Sequence, residues 1–215
     1  MTLDTVEARI RQACLRSGRA RTDIELIAVT KGHSVAEIRA LFERGHRDFG
    51  ENRAQELRDK TDALPGDIRW HFIGPLQTNK VRIVRPAVVA LHSMDRDSLA
   101  TAWLKGPGDP PPVYLQVNVG EEDQKSGVAP SDTLAFCDRL VDLGHRVIGL
   151  MAIPPVADDP EEVRPYFVTM RHLRDQVASV HPSVTGLSMG MTDDFEVAIE
   201  EGATSIRVGR AIFAD

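Results

Sequence analysis

Apolar runs of strand length alternate with segments of helical period along almost the whole chain. Between the runs, apolar residues recur every three or four positions, as at Val35, Ile38, Leu41 and Phe42, which is the spacing of an amphipathic helix. A further helix over about residues 5–16 precedes the first strand. The spacing predicts strands at residues 26–31, 48–51, 69–74, 88–92, 112–119, 147–153, 184–189 and 205–209.

The order of these elements favours a parallel sheet, because strands separated by helices are joined by crossovers and not by hairpins. Eight strand–helix units predict an α/β fold in which the sheet closes as a (β/α)8 TIM barrel with an extra N-terminal helix. An open, doubly wound sheet is the alternative that the pattern alone leaves. The most loop-like stretch, residues 105–112, lies between a helix and a strand, so we expect one domain over residues 1–215.

Composition and charge narrow the range of partners and locations. The chain has 215 residues, with 26 Lys and Arg against 32 Asp and Glu, and its net charge of −6 provides no broad basic surface for nucleic acid. No apolar run approaches the roughly 20 residues that a membrane crossing needs, and the first residues lack the basic-then-apolar pattern of a signal peptide. We therefore expect a cytoplasmic protein.

The cysteines and histidines do not predict a metal centre. Cys14 and Cys137 form no CxxC pair and have no histidine cluster nearby, so we expect two reduced, packed thiols and neither a disulfide nor a structural zinc site. His71 alternates with aromatic residues on the third predicted strand, which is typical of a hydrogen-bonded structural histidine.

The candidate chemistry lies at the carboxyl ends of the strands, since these ends form one rim of such barrels. Lys31 ends the first predicted strand, and glycine-containing segments at residues 188–191 and 207–210 end the seventh and eighth. An amine in a cleft can lose its proton and attack a carbonyl, whereas glycine amides and a helix N-terminus can bind a phosphate. This pattern predicts a site for a phosphorylated aldehyde, with a merely exposed strand-end lysine as the alternative.

The segment from Gly186 to Gly190 also fits the G-x-S-x-G nucleophile elbow of serine hydrolases. In that fold the acid and then the histidine follow the serine, yet the last histidine of this chain, His181, precedes Ser188. We therefore interpret Ser188 and the Gly190 backbone as donors to an anion.

Seven blocks, in order from the first strand to the end of the chain, are Ala28-Val29-Thr30-Lys31, Phe49-Gly50-Glu51-Asn52, Trp70-His71-Phe72-Ile73-Gly74-Pro75-Leu76-Gln77, Lys125-Ser126-Gly127, Leu150-Met151-Ala152-Ile153-Pro154, Leu187-Ser188-Met189-Gly190-Met191 and Arg207-Val208-Gly209-Arg210-Ala211-Ile212-Phe213. With these blocks the chain resembles the pyridoxal phosphate homeostasis proteins, single-domain relatives of the alanine racemase barrel. The resemblance implies a fold-type III barrel that carries pyridoxal 5'-phosphate (PLP) as an internal aldimine on Lys31. It also implies cofactor buffering or delivery, and a balance of vitamin B6 and amino-acid pools, without established turnover.

The resemblance further implies which residues hold the phosphate of PLP. These are Ser188 and Gly190 together with the backbones of Gly209 and Arg210, and Met189, between the first two, is also a cofactor-binding residue. Position 210 is commonly a small residue such as threonine in the family, so Arg210 loses a hydroxyl contact or adds a charge-assisted one.

Three more positions follow from the same resemblance. Arg207 would face the pyridine nitrogen, Met151 would pack on the ring, and Asn52 would line the pocket beside the aldimine. An arginine cannot accept a hydrogen bond, so a ring nitrogen bonded to Arg207 is unprotonated and the ring is a poorer electron sink. Arg53 stands where an aromatic residue is common, which changes that wall of the pocket.

Three function classes remain open at this point. The first is a monomeric PLP carrier or regulator, whose recipients would be PLP-dependent apoenzymes. The second is a PLP-dependent racemase, which needs two acid/base groups, although neither Tyr114 nor Tyr166 ends a predicted strand. The third is a Schiff-base aldolase that uses the same lysine and a phosphorylated sugar without PLP.

Overall fold

The fold, in a computed structural model that describes residues 2–122 and 124–213, is a closed barrel of eight parallel strands in sequence order. The strands are β1 (Glu25–Val29), β2 (Asp48–Glu51), β3 (Arg69–Phe72), β4 (Ala90–Met94), β5 (Val113–Val117), β6 (Val147–Ala152), β7 (Gly186–Ser188) and β8 (Ser205–Val208). Pairing of β8 with β1, from Ser205 beside Glu25 to Val208 beside Ala28, closes the sheet. The predicted barrel is confirmed, and the open sheet is excluded.

Helices cover the outside of the barrel. They are α1 (Leu3–Ser17), α2 (Val35–Glu43), α3 (Ala54–Ala63), α4 (Val81–Val84), α5 (Asp97–Leu104), α6 (Thr133–Asp142), α7 (Arg164–Val180), α8 (Phe195–Glu200) and α9 (Arg210–Phe213). The predicted extra helix is α1, which packs its buried face against α8 and is tied to it by an ion pair between Arg9 and Glu196. None of the helices within the described residues is long and apolar enough to cross a membrane.

Side chains alternate along each strand, so one set packs between the barrel and its helices and the other set lies inside the barrel. Leu26 and Ala28 of β1 belong to the large apolar core between the barrel and its helices. Tyr114 and Met151 belong instead to a small apolar cluster of their own. Buried polar side chains, among them His92, Ser188 and Arg207, also lie inside the barrel and contact one another.

Most strands end earlier at the rim than the sequence predicts, although β2 ends where predicted and β4 ends two residues later, at Met94. β1 ends at Val29 and not at Lys31, and β3 ends at Phe72 and not at residue 74. The chain leaves the sheet at these points, so Lys31 lies in a turn directly after buried Thr30. The turn places the lysine on the rim, outside the packed wall of the barrel.

Candidate functional site

The side chain of Lys31 is exposed, and the backbone that carries it is held by buried contacts. Thr30, immediately before it, is fully buried and donates its hydroxyl hydrogen to Glu51 Oε1 at 2.7 Å. The backbone amide of Thr30 donates to Gly50 O at 2.9 Å, which continues the pairing of β1 with β2 past the strand end. The amine is therefore free to meet a ligand while the backbone that carries it is held.

A buried ion pair beneath Lys31 joins the first two strand ends. Lys60 of α3 donates from Nζ to Glu51 Oε1 at 2.5 Å and to Thr30 O at 2.7 Å, and both side chains are almost completely buried. The other oxygen of Glu51 accepts the backbone N–H of Asn52 at 2.9 Å. The pair thus fixes the loops that carry Lys31 and Asn52.

Asn52 lines a cavity of about 250 Å³ at the same rim. Its Oδ1 is buried and has no hydrogen-bond partner among the residues that the structure describes. Gly74 presses on the Asn52 backbone so closely that an added Cβ would lie 2.4 Å from Asn52 O. A buried polar atom without a partner costs free energy, and a ligand that donates a hydrogen bond to Asn52 Oδ1 would remove that cost. The amide is therefore available to a ligand.

The 124–126 segment forms part of the opposite wall of this cavity, together with Ile153. Lys125 donates from Nζ to Pro154 O at 3.0 Å, which ties the segment to the loop after β6. The segment therefore lies beside the rim.

Arg207 projects from β8 into the barrel and is 4% exposed. Its Nη1 donates to the carbonyl and the hydroxyl oxygen of Ser188, both at 2.7 Å, and its Nη2 donates to Ala152 O at 2.9 Å. These bonds use three of the five N–H groups of a guanidinium, so two remain for a ligand. Burial lowers the pKa of Arg207 to about 10, which still leaves a full positive charge at neutral pH.

Ser188 is fully buried, and its hydroxyl has partners inside the barrel. Besides accepting from Arg207, Ser188 Oγ lies 2.8 Å from His92 Nδ1. The hydroxyl of Ser188 is thus already bonded to two side chains, and the phosphate role predicted for it stays a prediction. Met151, adjacent to Ser188 across the β6–β7 pairing, is fully buried in the barrel interior.

The predicted phosphate cradle lies at the ends of β7 and β8. Met189 is fully buried, and Gly190 has a φ of 94°, a conformation that other residues rarely adopt. An added Cβ at Gly190 would lie 2.6 Å from the Cβ of Ala198, so no side chain fits there. Gly209 directly precedes α9, whose first residue is Arg210, and the side chain of Arg210 lies outside the described part of the structure.

Two histidines inside the barrel extend the polar contacts of Ser188. His71 Nδ1 lies 3.0 Å from His92 Nε2, so His71 is hydrogen-bonded, as predicted. His71 also contacts Asp48, and Arg69 donates to the same carboxylate at 2.6 Å. His92 carried no sequence signal, because nothing in the pattern around it distinguishes it from a packed strand residue.

Neither tyrosine of the chain reaches the rim. Tyr114 is the second residue of β5 and stacks on His92 with ring centroids 4.3 Å apart, and Tyr166 lies in α7. The buried phenol is held protonated, because burial raises the pKa of Tyr114 above its usual value.

Known proteins resemble this chain over its full length. The family model of the alanine racemase N-terminal domain matches residues 1–215. A pyridoxal phosphate homeostasis protein of Aquifex aeolicus is 42% identical over 99% of this chain and 96% of its own length, and one of Deinococcus radiodurans is 42% identical over the whole of both chains. The solved structure of PipY of Synechococcus elongatus with PLP bound is 35% identical, with a TM-score of 0.80 over 96% of this chain and 99% of that one. With the barrel and its rim already in place, these matches show that the chain belongs to the alanine racemase N-terminal domain family and to its pyridoxal phosphate homeostasis proteins.

Proposed function

We propose that this protein binds PLP through Lys31 and serves, as a cytoplasmic monomer, to buffer the cofactor or deliver it to PLP-dependent apoenzymes. The proposal rests on one observation. The amine of Lys31 is exposed, and the backbone beneath it is held by the buried ion pair of Glu51 and Lys60. Lys31 stands on Thr30, which the Glu51–Lys60 pair holds in place. The PLP bound in the related PipY structure supports the same ligand.

The residues around Lys31 fit PLP in their chemistry. When bound, PLP supplies an aldehyde that condenses with amines and a ring that withdraws electrons. The unpaired Asn52 amide faces the cavity, and Arg207 has two N–H groups left for the pyridine nitrogen. The backbones of Gly190 and Gly209 are the parts of the β7 and β8 ends that we assign to the phosphate.

A carrier role is favoured over a racemase role by the groups that surround the site. Arg207 keeps its positive charge at neutral pH, so it would donate a hydrogen bond to a ring nitrogen without transferring the proton to it. Racemisation also needs a second acid/base group on the opposite face of the substrate. Tyr114 is buried inside the barrel and Tyr166 lies on an outer helix, so neither supplies that group.

The test of PLP attachment is the visible spectrum of the purified protein after incubation with PLP. We expect Schiff-base absorption that disappears on borohydride reduction and leaves a pyridoxyl adduct on Lys31 by peptide mass spectrometry. Lys31→Ala should lose the absorption and keep the fold, because an exposed side chain contributes little packing. Lys105→Ala, another exposed lysine, is the matched control and should behave as wild type. An equal adduct in Lys31→Ala would contradict the assignment, and an aldolase would show no PLP spectrum at all.

The test of the carrier role is α-proton exchange. The PLP-loaded protein is incubated with L-alanine in deuterated water, and the α-proton is followed by NMR. We expect little or no exchange. Exchange at an enzyme-like rate that is lost in Lys31→Ala would replace the carrier by a racemase-like enzyme.

A further inference from the structure

A line of hydrogen bonds runs through the inside of the barrel, from Arg207 near the rim to the opposite mouth. Arg207 donates to Ser188 Oγ at 2.7 Å, and Ser188 Oγ lies 2.8 Å from His92 Nδ1. His92 Nε2 lies 3.0 Å from His71 Nδ1, and His71 Nε2 lies 3.2 Å from Asp48 Oδ1. Ser188, His92 and His71 are at most 3% exposed. We name these five residues the interior chain.

With both imidazole rings neutral, the two ends of the interior chain fix the direction of every bond in it. Arg207 only donates and an ionised Asp48 only accepts. His71 must therefore donate from Nε2 to Asp48, and its Nδ1, in a neutral ring, must accept from His92 Nε2. His92 Nδ1 in turn must accept the hydroxyl hydrogen of Ser188, which leaves the Ser188 oxygen free to accept from Arg207. Both neutral rings then carry the proton on Nε2, and each bond of the interior chain has one donor and one acceptor.

The surroundings of His92 and Asp48 support their part of this arrangement. His92 is completely buried, and burial holds the pKa of its imidazole well below the usual value, so this ring is neutral. Burial opposes ionisation of Asp48, but hydrogen bonds from His71 and Arg69 outweigh it and lower the pKa of the carboxyl. Glu25, 3.1 Å from Arg69, adds a second carboxylate at this end.

We propose that His92 and His71 are positioning residues for Arg207, and that Asp48, at the opposite mouth of the barrel, determines how the guanidinium is presented to the cofactor. The hydroxyl hydrogen of Ser188 must point at His92 for its oxygen to accept from Arg207. If His92 Nδ1 donates instead, the hydroxyl hydrogen of Ser188 loses its acceptor, because the guanidinium has no lone pair to receive it. The proposal rests on the proposed function only in naming PLP as the group that Arg207 meets.

Nitrogen-15 NMR of the apoprotein tests the chain without any cofactor. Long-range proton–nitrogen correlations should show both His92 and His71 as neutral rings protonated on Nε2, and the Nη protons of Arg207 should be protected from exchange with water. Asp48→Asn removes the charge that fixes the direction, and we expect the form of His71 protonated on Nδ1 to become detectable. Asp67→Asn, at another carboxylate paired with an arginine, is the control and should leave both rings unchanged.

The second readout is PLP binding by His92→Phe, which keeps a ring to stack on Tyr114 and removes both nitrogens. We expect the dissociation constant for PLP to rise at least tenfold and the absorption maximum of the bound form to shift. His145→Phe, at another buried histidine outside the interior chain, controls for the loss of a buried imidazole and should do neither.

The outcomes separate the two proposals. A wild-type protein that shows the predicted tautomers and protected Arg207 protons but no PLP spectrum would overturn the proposed function and leave the positioning of Arg207 standing. Either ring protonated on Nδ1 in the wild type would overturn the interior chain, as would wild-type Arg207 protection in both His92→Phe and Asp48→Asn. If His92→Phe does not fold, the Arg207 signals of Asp48→Asn decide the question.

Discussion

Among single residues, Lys60 has a large effect on the rim, although it lies in a helix and not at a strand end. Its ammonium is buried against Glu51, and the only polar atoms that it meets within the described chain are Thr30 O, Glu51 and Glu56. Removing one partner of a buried pair leaves the other as an uncompensated charge, which costs more than the pair itself contributes. Lys60 therefore couples the stability of the fold to the geometry around Lys31.

We predict that Lys60→Met lowers the free energy of unfolding by about 3 kcal/mol, because Glu51 is left buried without its cation. Urea denaturation at neutral pH measures the change. Lys105→Met removes an exposed lysine and should change stability by less than about 0.5 kcal/mol. A loss in Lys60→Met as small as in the control would show that water or another cation compensates Glu51.

The sequence locates the site residues that stand at strand ends, but it does not show which partners they have. Lys31 is predicted because the barrel brings strand ends together at one rim, whereas Asn52 is predicted from the family resemblance. Lys60 escapes detection since a lysine in the polar helix Ala54–Ala63 is typical of a solvated face. Ser188 is found, but its hydroxyl is bonded to Arg207 and His92, and only the three-dimensional register of β4, β7 and β8 reveals that.

At the scale of elements, helix α2 begins a few residues after Lys31 and holds the other end of the same turn. Ser34 caps the helix by accepting from the Glu37 N–H at 3.3 Å, and Glu37 accepts in return from the Ser34 N–H at 2.7 Å. His33 Nδ1 lies 2.9 Å from the same carboxylate. This capping box satisfies backbone groups that the first turn of a helix leaves open, and it fixes the chain between residues 31 and 35.

The capping box predicts an acid-dependent part of the stability. Hydrogen bonds from Ser34 and His33 lower the pKa of the Glu37 carboxyl from its ordinary 4.5 to about 2. A carboxyl whose pKa is lowered in the folded state stabilises the fold at pH values above its pKa in the unfolded chain. That contribution is lost as the pH falls from about 5 to about 2. Because the side chain is 45% exposed, solvent screening limits the effect to at most about 1 kcal/mol.

Glu37→Gln measures this contribution. We expect the variant to be less stable than wild type near neutral pH and to approach wild type as the pH falls towards 2, by urea denaturation across that range. Glu43→Gln, at the exposed end of the same helix, should keep a constant difference from wild type. A constant difference for Glu37→Gln as well would mean that the capping box does not survive in solution.

Element prediction succeeds where periodicity is strong and fails at the rim. All eight predicted strands are present, and α1 extends only slightly beyond the predicted residues 5–16. The strand ends are misplaced at Lys31 and at residue 74 because the chain turns into the loops there, and local apolar pattern does not record where pairing with the neighbouring strand stops. The loops that carry the site are therefore the least predictable part of the fold.

At the scale of the whole molecule, the barrel presents two different mouths. The rim at the carboxyl ends of the strands carries the amine, the Asn52 amide and the glycine backbones, whereas the opposite mouth carries the charged cluster of Glu25, Asp48 and Arg69. The interior chain connects the two mouths through fully packed residues. A ligand at the rim therefore contacts groups whose arrangement depends on the entire barrel.

Ligand binding at the rim should stabilise the whole fold, because a ligand that binds only the folded state shifts the unfolding equilibrium. At a PLP concentration 100 times the dissociation constant the gain is about 2.7 kcal/mol. For a chain of this size that corresponds to a rise in Tm of about 5–10 °C. We predict this rise for wild type in thermal unfolding followed by circular dichroism, a smaller rise with pyridoxal, which lacks the phosphate, and almost none in Lys31→Ala. Equal rises with pyridoxal and PLP would show that the ends of β7 and β8 do not hold the phosphate, since the glycine backbones at Gly190 and Gly209 would then contribute nothing to binding.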